Sequence, residues 1–278
     1  MAYTNRDLDR LARNISELIE EEILRAGIFY RIFFRCKSDK SLTRKLKTTI
    51  GNSEDLKYDG KTKFLRDVIG IRVNLYFLDD LEILLNFLKT KYAGSLLEET
   101  VDVNTTTQFR PTRVNLIFKI PTSLLKEFRD IVKDERIDAT YELQLRTVFS
   151  EGWHEVEHDF RYKCQDDWKD HSNISRNFNG ILAALETHEW SMIKMFEELS
   201  YSHYKSKNYG AMVRARLRIG TEDYNLSPSL LDLIESEEGF TKELYKLERH
   251  ILINFLLNTA IVIPFTVDNI LYLINFFL

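Results

Sequence analysis

Three side chains that can handle protons, metal ions or phosphate stand two residues apart in Tyr141-Glu142-Leu143-Gln144-Leu145-Arg146-Thr147. Strand side chains alternate between faces, so Glu142, Gln144 and Arg146 share one face, and Tyr141, Leu143 and Leu145 share the other. Lining up an acid, an amide and a guanidinium costs desolvation energy unless that face serves a polar site or meets solvent, and this strand alone allows both readings. Upstream, Lys63-Phe64-Leu65-Arg66-Asp67 runs directly into Val68-Ile69-Gly70-Ile71-Arg72. That puts Asp67 at the start of a buried strand, where an acid can hold a metal ion, and Arg72 within it. Arg35, Lys37, Ser41, Arg44 and Lys45 crowd a strand end and the helix start that follows. Guanidinium and ammonium groups beside helix-start amides favour dense negative charge such as a polyphosphate, although an ordinary basic surface helix has the same composition.

The elements that must position these groups are legible from periodicity. Leu8, Leu11, Ile15, Leu18, Ile19 and Ile23 have the spacing of one helical face, which predicts an amphipathic helix over 6–24. Gly27 ends it, IFYRIFFRC reads as a strand rich in aromatic and β-branched residues, and SLTRKLK as a short basic helix. Residues 51–63 are polar with two glycines and read as a loop. VIGIRVNLYF is a buried-strand pattern, and DDLEILLNFLKTKY is a helix with aspartates at its N-terminus, where the helix dipole favours them. Strands over 96–103 and 113–120, a helix over 121–133 and the strand ATYELQLRT follow. Beyond Phe149 the pattern is helical throughout: to about 163, over 173–204, and in two or three further helices. The expected fold is α/β (α+β), a mixed sheet flanked by helices and followed by an all-helical C-terminal region, with a division at 1–165 and 166–278.

Composition narrows the class of function. The chain has 278 residues, 44% of them hydrophobic, enough to bury a full core, and a formal net charge of −4, so it carries no global field for nucleic acid or an anionic membrane. Any polyphosphate site must be a local cluster. Cys36 and Cys164 are too few for a disulfide framework and lack metal-type spacing, which fits a reducing cytoplasm. The first residues are charged, without the apolar core of a secretory signal. The apolar stretch 251–278 is interrupted by Pro264, Asp268 and several asparagines before the roughly 20 residues a membrane span needs, and reads as paired buried helices.

Four segments in order, R-C-K-S-D-K-S-L-T-R-K-L-K from Arg35, R-D-V-I-G-I-R from Arg66, E-L-Q-L-R-T from Glu142 and W-H-E-V-E-H-D-F-R-Y-K from Trp153, resemble the RelA/SpoT synthetase domain. The resemblance covers roughly 15–163. It implies a nucleotidyltransferase-like synthetase core that transfers the β,γ-pyrophosphate of ATP to a ribose 3'-hydroxyl of GDP or GTP, making an alarmone. By the same resemblance Asp67 would hold Mg2+, and Glu142 would be a second ligand or the base. Arg35 and Arg72 would flank adenine, and Lys37, Ser41 and Lys45 would hold phosphates. Gln144 and Arg146 would organise the pocket floor, and His158, Tyr162 and Lys163 would close it. The family's Gly-Tyr-Arg-Ser-x-His acceptor segment is replaced here by Gln108-Phe109-Arg110-Pro111-Thr112-Arg113, which keeps an aromatic face at Phe109 and cations at Arg110 and Arg113 but loses the hydroxyl and the imidazole.

That departure opens the acceptor. Toxin-like members of the family act on the tRNA 3' end or make adenosine alarmones, and such a member would meet a neutralising antitoxin partner. The basic residues Lys205, Lys207, Arg214, Arg216 and Arg218 could track a phosphate backbone, or form a solvated face. Fewer than 30 residues precede the synthetase-like part, which implies synthesis without alarmone hydrolysis. A different chemistry is written in His154-Glu155-Val156-Glu157-His158, an H-E-x-x-H spacing that suits a zinc metallopeptidase, with Glu186, His188 or Glu189 as third ligand. A non-catalytic nucleotide-binding relative is the remaining reading, and Asp67 and Glu142 together argue against it.

Overall fold

A computed structural model describes residues 5–50, 56–102, 113–221, 223, 225–259, 261 and 263–275. They form two compact units interleaved along the chain: Met1–Glu21, Tyr30–Asn74 and Leu88–Glu151 in the first, and Glu22–Phe29, Leu75–Phe87 and Gly152–Leu278 in the second.

The elements run in the order α1 (Asn5–Leu24), β1 (Tyr30–Cys36), α2 (Asp39–Leu46), β2 (Ile69–Leu75), α3 (Asp79–Lys91), β3 (Leu96–Asp102), β4 (Arg113–Lys119), α4 (Thr122–Ile131), β5 (Thr140–Thr147) and α5 (Val148–Val156). A π-helical segment, Glu157–Tyr162, leads to α6 (Gln165–Trp168), α7 (Ser172–Lys205), α8 (Tyr209–Leu217), α9 (Pro228–Ser236), α10 (Glu238–Lys246), α11 (Arg249–Asn258) and α12 (Val267–Asn275). The strands and helices read from periodicity are all present. The C-terminal part holds more helices than the two or three expected after α7, because short helices with one buried stripe each do not separate clearly in a hydrophobic pattern.

The first unit is built on a mixed five-stranded sheet in the order β1-β2-β5-β4-β3. β3 pairs with β4 and β4 with β5, both antiparallel, while the backbone before β2 and β5 meets in a parallel bridge between Leu65 and Ile137. One sheet face is the core: Ile69, Ile71, Val114, Leu116, Phe118, Leu143 and Leu145 are fully buried, and so are Leu8, Leu11 and Phe128 from α1 and α4. The alternation in β5 therefore has the expected sense, with Glu142 and Gln144 half-buried on the face opposite Leu143 and Leu145. Within the α1 stripe, Leu18 lies outside the packed face and is 40% exposed.

The second unit takes its order from buried charge. Asp79 and Asp80 begin α3, and Asp80 is completely buried. Arg249 pairs with Asp80 and also donates to the carbonyls of Leu217 and Arg218. Arg218 pairs with Asp79 and lies 4.8 Å from the centre of the Phe77 ring. These contacts hold Arg218 at a φ of 47°, a left-handed conformation that costs a non-glycine residue about 1–2 kcal/mol. Gly27, with a φ of 62°, is needed after α1 because a Cβ there would collide with Ile219 and Phe265. Of the five basic residues grouped by sequence, Arg218 is thus buried in a structural ion pair and Arg216 donates to the Leu247 carbonyl at 3.1 Å, while Lys205 and Lys207 are exposed. No helix among the described residues is long and apolar enough to cross a membrane.

Removing one partner of a buried ion pair leaves an uncompensated charge. Arg249→Met is therefore expected to cost roughly 3–5 kcal/mol, measured by urea unfolding followed by circular dichroism.

Candidate active site

Asp67 is fixed from two sides within the first unit. The N–H of Lys37, just after β1, donates to the Val68 carbonyl at 2.9 Å and brings the end of that strand alongside. On the other side, the Leu65 N–H donates to the Arg136 carbonyl at 2.9 Å, the Asp138 N–H to the Leu65 carbonyl at 3.0 Å, and Thr140 Oγ1 to the Arg66 carbonyl at 2.9 Å. Arg66 itself pairs with Asp138 and Glu98.

This clamped backbone sends the Asp67 carboxyl to two lysines. Its Oδ2 accepts from Lys37 Nζ at 2.8 Å and from Lys45 Nζ at 2.7 Å. Its Oδ1 is buried and has no hydrogen-bond partner among the described residues. Burial alone would raise the carboxyl's pKa, but the hydrogen bonds and charges of Lys37 and Lys45 outweigh it and hold Asp67 below the usual carboxylate range. Lys37 is pulled down by its own burial, whereas for Lys45 the attraction of Asp67 outweighs burial and the pKa rises. Lys45 reaches Asp67 from the last turn of α2, a helix whose start is capped by Ser38 accepting from the Ser41 N–H. Ser41 lies in the first turn of α2, and Arg35 is exposed on the edge strand β1.

β5 supplies the floor. Gln144 Nε2 donates to Glu142 Oε2 at 3.0 Å, and Gln144 Oε1 accepts from Arg72 Nε at 3.1 Å. Burial, and then the charge of Asp67, push the Glu142 carboxyl above its ordinary range, so two carboxylates share one field. Glu151, which the sequence reading did not single out, pairs with Arg72 and, at 2.7 Å, with Arg146. A signal for it was present: Thr147 and Ser150 exchange hydrogen bonds, each hydroxyl accepting from the other's N–H at 3.1 Å, which caps α5 and turns its first-turn acid back toward the strand.

The donor chemistry suits a hard cation. Asp67 offers an oxygen with no partner among the described residues, and Glu142 is electrostatically coupled to it. Mg2+ binds through one or two carboxylates and completes its shell with water and substrate phosphates. Among the described residues, no group of three or more His, Cys, Asp or Glu side chains is placed to hold a metal ion.

His158, Tyr162 and Lys163 belong to the second unit, on and just after the π-helical segment. There the His158 and Tyr162 rings stack at 5.9 Å, and Asp159 accepts from Lys163 at 2.6 Å and lies 2.8 Å from His158 Nδ1. Of the H-E-x-x-H pair, His154 is buried and edge-on to Trp153 at 5.4 Å, while His158 is half-buried, and the switch to π-helical winding at Glu157 lies between them. Glu189 is buried and His188 exposed on α7. Phe109 and Arg110 lie outside the described residues. Arg113 opens β4, and its side chain lies outside the description as well.

Residues 34–167 match the family model of the region found in RelA / SpoT proteins. Similar solved structures include small alarmone synthetase 1 of Bacillus subtilis, 15% identical over 68% of this chain and 92% of that one, with a TM-score of 0.49. Small alarmone synthetase 2 of the same organism is 21% identical over 69% and 92%, with a TM-score of 0.47. A GTP pyrophosphokinase family protein from Streptococcus pneumoniae is 19% identical over 68% and 90%, with a TM-score of 0.46. No curated protein sequence matches the chain. The segment that clamps Asp67 between Lys37 and Lys45 thus falls within the stretch, residues 34 to 167, that matches the region found in RelA / SpoT proteins.

Proposed function

We propose that the chain is a pyrophosphokinase that moves the β,γ-pyrophosphoryl group of ATP to a ribose 3'-hydroxyl, with GDP or GTP as acceptor. The observation that carries this reading is the cluster of Lys37, Lys45, Asp67 and Glu142 within a RelA / SpoT region. Two ammonium groups sharing one carboxylate oxygen are poised to exchange it for phosphate oxygens, which carry more charge and accept the same hydrogen bonds. Ser41, at the start of α2, adds a hydroxyl to this phosphate site, and Arg35 and Arg72 are the guanidinium groups for the adenine. Asp67, relieved of its lysines, would hold Mg2+, which would supply electrostatic stabilisation of the charged oxygens in transfer, and Glu142 would serve as the base rather than as a second ligand.

In the reaction the acceptor's 3'-oxygen bonds to the β-phosphorus, the bond from that phosphorus to the oxygen bridging the α-phosphorus breaks, and AMP leaves. The proton of the 3'-hydroxyl passes to Glu142. A carboxylate raised by burial and by a neighbouring charge is the stronger base for that step. Gln144 keeps the Glu142 carboxylate oriented, and Arg146 lends positive charge to the floor. The acceptor side would come from Phe109, Arg110 and Arg113.

Incubation with γ-labelled ATP and Mg2+ and, separately, GDP, GTP, ADP, ATP or bulk tRNA tests the reading. Label is expected on GDP or GTP with matching AMP release. Label on tRNA or on an adenosine nucleotide alone would move the acceptor, and absence of both label and AMP would sink the assignment. Asp67→Asn and Glu142→Gln are expected to fold and to lower turnover by about 10²- to 10⁴-fold, the range of a lost acid–base or charge-stabilising group.

The lysine clamp gives a pH prediction. Since the Asp67 pKa is depressed in the fold, its stabilisation is full above the unfolded value of about 3.9 and is lost as pH falls through the lower folded value. Lys45→Met should return the Asp67 carboxyl toward its ordinary range, as read by carboxyl 13C NMR titration. It should also flatten the loss of stability below pH 4 in urea melts.

A further inference from the structure

Arg72 is held at two points. Its Nε donates to Gln144 Oε1 at 3.1 Å, and a terminal nitrogen donates to Glu151 Oε1. The second oxygen of Glu151 accepts from Arg146 at 2.7 Å. A guanidinium only donates, so the Gln144 carbonyl must face Arg72 and its amide nitrogen must face Glu142, where the hydrogen bond is found. The Glu151 side chain is 14% exposed, between arginines that are 24% and 10% exposed, where charge-assisted bonds are only weakly screened. Both of its oxygens are occupied by arginines, so Glu151 has no place in the transfer itself.

Two fixed nitrogens define the plane of a guanidinium, and a planar guanidinium is a stacking surface for an aromatic base. A surface immobilised before binding costs less ordering entropy when the base arrives. We propose that Glu151 is a positioning residue that fixes the plane of Arg72 against a purine base, so that it governs affinity for the nucleotide donor more than the rate of transfer. This rests on the ATP reading above and adds a residue to it.

The test uses the full chain. Glu151→Gln keeps the size but removes the charge and turns a donor toward an arginine. It is expected to weaken binding of a non-hydrolysable ATP analogue with Mg2+ roughly tenfold in calorimetry, and to raise KM for ATP in parallel while kcat changes less. Glu151→Asp keeps the charge and should bind within about threefold of the parent; it carries the test if the Gln variant does not fold. In an Arg72→Ala background, Glu151→Gln should add no further loss, as expected when one residue acts through the other. An equal loss in that background, a fall in kcat with unchanged affinity, or an Asp variant as weak as the Gln variant would each overturn the proposal.

A measurement without nucleotide separates this idea from the ATP reading. Exchange of the Arg72 Nε–H with water, read by 15N NMR, should be at least about tenfold faster in Glu151→Gln than in the parent. Unchanged exchange in the folded variant overturns the positioning role whether or not the chain binds ATP. Faster exchange in a chain that binds no ATP analogue would instead overturn the ATP reading alone.

Discussion

A carboxylate drawn partly out of water must be given donors or it will take up a proton more readily, and the site follows from how that demand is met at the half-buried Asp67. Lys37 and Lys45 reach it from the end of one strand and the last turn of the next helix, and both must converge on a single oxygen. That convergence requires β1, α2 and the approach to β2 to meet, which the Lys37–Val68 backbone bond secures, while the Leu65–Asp138 bond ties that approach to the one before β5. The other Asp67 oxygen is left without a protein partner among the described residues, and Glu142 feels the Asp67 charge across the sheet face. One ionised group thereby gathers two ammonium groups and a second carboxyl into the same small cluster.

Direction is the second constraint. Arg146, Glu151, Arg72, Gln144 and Glu142 form a chain in which each member's chemistry dictates the next. Arginines can only donate, Glu151 and the Gln144 carbonyl can only accept, and the Gln144 amide is left to donate to Glu142. The polar face of β5 is therefore a set of side chains with little rotational choice. The second unit uses buried charge differently: Asp79, Asp80, Arg218 and Arg249 pair with one another and with backbone carbonyls, joining the start of α3 to the end of α8 and the start of α11.

Much of this was legible in the sequence. Strand alternation put Glu142, Gln144 and Arg146 on one face, because a period of two is fixed by backbone geometry alone. Lys37, Lys45 and Asp67 were recognisable as chemistry by type and by their places at element ends. Glu151 was not, since it sits in the first turn of an ordinary amphipathic helix where an acid is commonplace. Arg218 was misleading for the converse reason: it stands in a run of exposed-looking basic residues, yet its pairing with Asp79, distant in sequence, buries it.

Periodicity and residue type thus determined by themselves the strands and the helices as far as α7, the polar face of β5, and the chemical vocabulary of the site. Only the tertiary structure decided which charges meet. That Lys37 and Lys45 share one oxygen of Asp67, and that Glu151 joins Arg72 to Arg146, depends on strand order and on the Thr147–Ser150 cap that sets where α5 begins. The physical reason is range: backbone periodicity is set by neighbours a few residues apart, whereas an ion pair is set by whichever opposite charge the folded chain brings within about 4 Å.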